Sequence, residues 1–103
     1  MYDKYGQFID GKWQKSASGE TYDVINPATE EVIGKASKAN NSDIQKALKS
    51  AEKGLQIWKN TSPWERSKII RKISDLIRKR VNILSKWLTL EVGKPVTEGP
   101  GDL

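Results

Sequence analysis

Hydrophobic residues in the first forty positions come in short runs separated by turn formers, whereas from position 41 onward they recur every three or four residues. The runs Phe8-Ile9-Asp10-Gly11-Lys12-Trp13, Thr21-Tyr22-Asp23-Val24-Ile25 and Val32-Ile33-Gly34-Lys35-Ala36 predict short strands. Asp10-Gly11 is a dipeptide of the kind that closes hairpins, and Ser16-Ala17-Ser18-Gly19 reads as a loop. Asn26-Pro27 forces another bend, because the residue before a proline is pushed out of the helical region and proline cannot donate to a strand ladder. Residues 1–40 are therefore expected to form an antiparallel strand meander.

The helical period begins with Ile44, Ala47, Leu48, Ala51, Leu55 and Trp58, which share one face. Ser42 with Gln45 fits a capping box at its start. A second start lies at Ser62-Pro63-Trp64-Glu65: Ser62 caps, Pro63 occupies a first helical position where its missing N–H costs nothing, and Glu65 completes the box. The pattern then continues through Ile69, Ile70, Ile73, Leu76, Ile77, Val81, Ile83, Leu84, Trp87, Leu88 and Leu90 to Gly93, with Pro95 beyond as a stop. This predicts one helix of about 45 Å at the standard rise. The expected organisation is α+β: a meander over 1–40, a two-helix hairpin over 41–98 and a tail over 99–103.

With Ile73 at zero on a wheel of 100° per residue, the apolar arc of the second helix runs from about −100° at Leu90 to about +80° at Val81, far wider than a surface helix needs. One short partner helix cannot cover it, so the sequence reads as a piece of a larger protein. The same wheel places Arg66, Arg80 and Glu91 inside the arc, at about +20°, −20° and 0°. The arginines can carry their heads outward on apolar stems or form salt bridges. Glu91 is shorter and sits near the helix end, where the dipole disfavours a carboxylate, so it wants a cation: a Lys or Arg from another segment, or a bound metal ion.

Composition removes most chemistry. Among 103 residues there is no Cys and no His, which excludes a thiol nucleophile, disulfides, a Ser-His-Asp triad and the usual zinc sites. The balance of 18 Lys+Arg against 13 Asp+Glu gives +5, too modest to demand a polyanionic partner. Arg71, Lys72, Arg78 and Lys79 lie opposite the apolar arc as a solvated face, and no aromatic residues alternate with them to stack on bases, so nucleic-acid binding is disfavoured. The glycines form no phosphate loop, and adjacent Glu30-Glu31 in a turn carry no acid–base chemistry. No apolar stretch approaches the roughly 20 residues of a membrane span and the start lacks a secretory apolar region; a cytoplasmic protein that touches no membrane is the expectation.

Several words occur in a fixed order and spacing: Phe8-Ile9-Asp10-Gly11-Lys12-Trp13, Ser18-Gly19-Glu20-Thr21-Tyr22, Val24-Ile25-Asn26-Pro27-Ala28-Thr29, Glu31-Val32-Ile33-Gly34, the segment from Ala51 to Trp58, Glu65-Arg66, and Leu88-Thr89-Leu90-Glu91-Val92-Gly93-Lys94-Pro95. Together they resemble the amino-terminal region of the NAD(P)-dependent aldehyde dehydrogenase superfamily, from Phe8 to Glu98, and in particular its betaine-aldehyde and succinate-semialdehyde dehydrogenase-like members. The resemblance implies a parent oxidoreductase that converts an aldehyde to a carboxylic acid through a Cys thiolate, hydride transfer to NAD or NADP and a Glu-activated water. It implies a Rossmann-like α/β cofactor domain, a catalytic domain and assembly into dimers or tetramers. The segment matched here lies ahead of the cofactor-binding and catalytic residues, so none of those is carried over, and this chain alone is expected to be inactive and to bind no dinucleotide.

One family feature maps onto residues present. Members resembling betaine-aldehyde dehydrogenases bind K⁺ or Na⁺ through main-chain oxygens before Asn-Pro and an acid in the Thr-Leu-acid-x-Gly-Lys stretch; the matching positions are Val24, Ile25 and Glu91. Two departures stand out: Glu30 replaces the Gly that many relatives carry in this turn, and Glu98-Gly99-Pro100-Gly101 interrupts the helix that usually follows Pro95. The expected partners are the remainder of an aldehyde dehydrogenase or further copies of the chain, joined through the helix over 62–93. The rival reading is a free-standing interaction module that docks this basic amphipathic helix on a partner.

Overall fold

The computed structural model describes residues 2–103. They fall into two compact units, one of Met1–Val24 with Val32–Asn60, the other of Ile25–Glu31 with Thr61–Leu103.

In the first unit, β1 (Gln7–Ile9) and β2 (Lys12–Gln14) form an antiparallel hairpin in which Phe8 faces Trp13 and Ile9 faces Lys12. The two loop residues, Asp10 at φ 54° and Gly11 at φ 75°, both take the left-handed conformation that a two-residue turn needs to match strand twist. Trp13 meets Phe8 at a centroid distance of 5.1 Å and Tyr5 at 4.9 Å, a cluster at the hairpin surface. β3 (Thr21–Ile25) and β4 (Val32–Ser37) form a second sheet, across which Lys35 Nζ pairs with Asp23 Oδ1 at 2.7 Å. A Tyr2–Lys4 3-10 turn packs on β4.

The expected single meander is thus two separate two-stranded sheets. The segment between them explains why. Gly19 N–H donates to Ser16 O, the buried Ser16 donates its hydroxyl to Glu20 O, and Ala17 N–H is held by the Asp43 carboxylate. This closed turn anchors the chain to a helix instead of returning it alongside β2.

That helix, α1 (Asn41–Lys59), is capped two residues earlier than Ser42 and Gln45 suggest. Asn40 accepts from Asp43 N–H and Asp43 accepts from Asn40 N–H, so Asn40 and Asp43 are the reciprocal box.

In the second unit the segment between β3 and β4 is a tight turn. Asn26 N–H donates to Glu31 O, Glu30 N–H to Asn26 O, and Ala28 N–H to the Asn26 side chain, so Asn26 organises the bend from both its backbone and its amide. The long helix predicted over 62–93 is two helices, α2 (Pro63–Lys79) and α3 (Val81–Val92), which makes three helices in place of a two-helix hairpin. Ser62 caps α2 by accepting from Glu65 N–H at 3.2 Å, with Pro63 at its first position. The break falls at Arg80, whose φ of −112° and ψ of 8° leave the helical region and whose N–H reverts to Ile77 O. Val81, Asn82 and Ile83 follow, poor helix formers in sequence, so little is lost by restarting there. α3 ends at Gly93, left-handed at φ 77°. The tail is structured too: a 3-10 turn over Gly99–Asp102 packs on α3, with Gly99 against Ser85.

No hydrophobic side chain among the described residues is buried. Along α2 the half-covered positions are Arg66, Ser67, Ser74 and Ile77, whereas Ile69, Ile70, Ile73 and Leu76 are exposed. On α1 the covered stripe is Asp43, Ala47 and Ser50, with Ile44, Leu48 and Leu55 left outside. α1 and α2 therefore cover mainly small or polar residues and leave most of their apolar side chains open, whereas α3 half-buries Val81, Leu84, Trp87, Leu88 and Leu90.

Candidate functional site

The most completely built polar site is around Asp43, buried at 3% exposure at the start of α1. Its carboxylate accepts from Asn40 N–H at 3.0 Å, from Ala17 N–H at 3.0 and 3.2 Å, and from Gln7 Nε2 at 3.4 Å. These donors come from the α1 cap, the loop after β2 and the first strand, so one side chain ties three segments of the first unit together. The Asn40 N–H above all, with those of Ala17 and Gln7 and the field of Lys46, holds the carboxyl below its ordinary value against the opposing cost of burial. A carboxylate so saturated is a poor proton acceptor at neutral pH, and its role is to clamp. The sequence carries this signal as Asn40-x-x-Asp43, a box with Asp standing where Glu or Gln is usual.

Val24 is half-buried in β3, Ile25 is 50% exposed at its end, and Glu91 is exposed on α3. The wheel drawn for one unbroken helix still picks out Val81, Leu84, Trp87 and Leu88, which are half-buried on α3, whereas Glu91, in the last turn, is exposed. Arg80, now the junction residue, is also exposed. Arg66 remains half-buried, and its Nε is enclosed with no hydrogen-bond partner, so it neither snorkels freely nor is paired. Glu30 and Glu31 lie exposed in the turn after β3.

The sequence holds no Cys or His, and no group of three or more potential metal-ligating side chains is found among the described residues, whose elements offer packing and hydrogen bonding. No helix among the described residues is long and apolar enough to cross a membrane. What they do carry is a recognisable architecture. The aldehyde dehydrogenase family profile matches residues 13–103. The chain belongs to the aldehyde dehydrogenase family.

An aldehyde dehydrogenase homologue of Staphylococcus epidermidis is 45% identical over 91 residues, covering 88% of this chain and 19% of the relative. Among solved structures, betaine aldehyde dehydrogenase from Staphylococcus aureus, in complex with NAD⁺, superposes with a TM-score of 0.89 at 33% identity, over 94% of this chain and 20% of that one. A 3,6-anhydro-L-galactose dehydrogenase, solved with NADP, gives a TM-score of 0.90 at 28% identity over 95% of this chain and 20% of its own. The chain thus spans about one fifth of the length of the aldehyde dehydrogenases it matches.

Proposed function

We propose that the chain is the amino-terminal segment of an NAD(P)-dependent aldehyde dehydrogenase, an enzyme that oxidises an aldehyde to a carboxylic acid, and that it supplies packing rather than reacting groups. The match over residues 13–103, against one fifth of each relative, carries this reading. The nucleophilic thiol that such oxidation requires is absent from the sequence, so catalysis belongs to segments other than this one. The α2 face of Ile69, Ile70, Ile73 and Leu76 then packs against those segments. A free-standing interaction module is not favoured, since the ordered match to an enzyme family runs through both units.

The test is a chimera in which this chain replaces the matching part of the S. epidermidis relative. It is expected to be soluble and to reduce NAD or NADP with an aldehyde; an insoluble or inactive chimera, with the parent active alongside, rejects the reading. Within the same proposal, the main-chain oxygens of Val24 and Ile25 and the Glu91 carboxylate are the positions to which the family's monovalent cation maps. They are an all-oxygen donor set of the kind hard cations prefer. The chimera should then be more stable in K⁺ or Na⁺ than in a bulky organic cation at equal ionic strength, and Glu91→Gln should abolish the difference. Equal stability in all three salts rejects the cation.

A further inference from the structure

Four lysines meet at one opening of the first unit. Lys46, Lys49 and Lys53 fall within about 60° of one another on the α1 wheel, and with Lys12 of β2 they line a single open cleft of about 300 Å³ between helix and hairpin. Asp10 is the one acid among the lining residues; its Oδ1 accepts from Ser50 Oγ at 3.5 Å. Four lysines against one aspartate leave the cleft at a formal +3, when the whole chain carries only +5. The cleft thus concentrates charge that composition alone would spread.

None of the four lysines takes part in an ion pair among the described residues. Glu52, the next acid on α1, lies about 60° round the helix from Lys49 and about 120° from Lys46. Asp43, its carboxylate held by three donors, offsets part of the charge of Lys46. A second cleft of similar size in the same unit gathers Lys4, Lys15 and Lys35, but there Lys35 is paired with Asp23. Like charges held around a concave surface by two packed elements raise the local potential and draw in a counter-anion.

We propose that this cleft binds a compact multivalent anion, specifically a chain of two or three phosphate groups. Its volume lies at the small end of ligand sites, enough for a short phosphate chain. Lysine ammonium groups bind phosphate as point charges and need no fixed fork geometry, which suits four flexible side chains from two elements. No aromatic residue lines the opening, so nothing there stacks on a base and recognition stops at the phosphates.

The test is calorimetric titration of the full chain with tripolyphosphate at about 0.15 M salt, where long-range attraction is largely screened. Saturable binding at one site is expected. Lys46→Glu/Lys53→Glu should weaken it at least about tenfold, and Lys68→Glu/Lys72→Glu on α2, with the same change in net charge, by less than about twofold. Lys46→Gln/Lys53→Gln, which introduces no new acid, should show an intermediate loss with an unchanged helical circular dichroism spectrum. Absence of saturation, or equal losses in the two charge-reversed variants, would overturn the proposal; an unfolded chain binding by net charge alone gives the latter. ATP should bind as tightly as tripolyphosphate if the phosphate chain is what is read. Binding to phosphoinositide vesicles in addition would identify a lipid headgroup as a source, whereas vesicle binding without tripolyphosphate binding would reject a phosphate-chain site.

Discussion

Gly93 lies against the ring of Pro27, so closely that a Cβ added to the glycine would sit 3.1 Å from Pro27 Cγ. Two of the sequence words that mark the family, Asn-Pro-Ala-Thr and Leu-Glu-Val-Gly-Lys-Pro, meet at this contact in the second unit. Gly93 answers two demands at once: it ends α3 in the left-handed conformation at φ 77°, and it leaves room for the proline that bends the chain after β3.

Gly93→Ala should therefore destabilise the chain by about 2 kcal/mol, roughly half from the left-handed backbone and the rest from the contact. Gly93→Asn separates the two, because Asn tolerates the left-handed region but still brings a Cβ. Urea unfolding at one protein concentration should place Asn between Gly and Ala, and Pro27→Ala should recover part of the Gly93→Ala loss. A Gly93→Ala variant as stable as the parent would show that neither demand is real.

Glu30 is the mirror case, a residue with a Cβ held at φ 61°. Its N–H donates to Asn26 O at 2.8 Å and so fixes it there. Glu30→Gly is expected to stabilise by about 1 kcal/mol by relieving the left-handed penalty. Glu30→Ala keeps the Cβ and should gain nothing. If both variants gained equally, the benefit would come from the lost charge and not from the backbone.

These two positions show how the sequence was legible. Asp10-Gly11, Ser62-Pro63 and Gly93 each announce a backbone conformation that few other residues adopt, and each is where local chemistry puts it. The break at Arg80 was not legible, because a single non-helical residue leaves apolar spacing almost unchanged on either side. The spacing still marks the covered side of α3 at Leu84, Trp87 and Leu88, whereas Glu91, in its last turn, is exposed. The Asn40 and Asp43 box was hidden by the nearby Ser42 and Gln45, which offer the commoner residue types two places later. Separation of the strands into two sheets depends on Asp43 reaching back to Ala17, a long-range contact that no local pattern encodes.

Asp43 gives the chain an acid-sensitive joint. Its folded-state pKa lies below the ordinary 3.8, so the folded form binds the proton less readily than the unfolded form. The stability it contributes is present above the unfolded value and is lost as pH falls through the folded one. Asp43→Asn removes the charge on which the Asn40, Ala17 and Gln7 donors converge. Unfolding of the two proteins compared from pH 7 to pH 2 should show a gap at neutral pH that narrows toward zero at the acid end. A gap independent of pH would mean that ionisation of Asp43 does not support the fold.

The open faces set the behaviour of the chain in isolation. Ile69 at 47% exposure, Ile70 at 57%, Ile73 at 51% and Leu76 at 41% form one contiguous side of α2, and the residues that α2 does cover are largely polar. At about 25 cal/mol per Å² of apolar surface removed from water, covering such a face is worth several kcal/mol, and soluble monomers rarely leave it bare. A second copy is the partner always at hand when no other segment of an aldehyde dehydrogenase is present, and α2 pairing with α2 would bury the same face on both. Light scattering over a concentration series should therefore show mass above that of one chain at tens of micromolar. Ile73→Lys with Leu76→Lys, which places charge at the centre of the contact, should return it to 11.6 kDa. A monomeric parent chain with a sharp cooperative melt would show that the exposed isoleucines find cover within the 103 residues themselves.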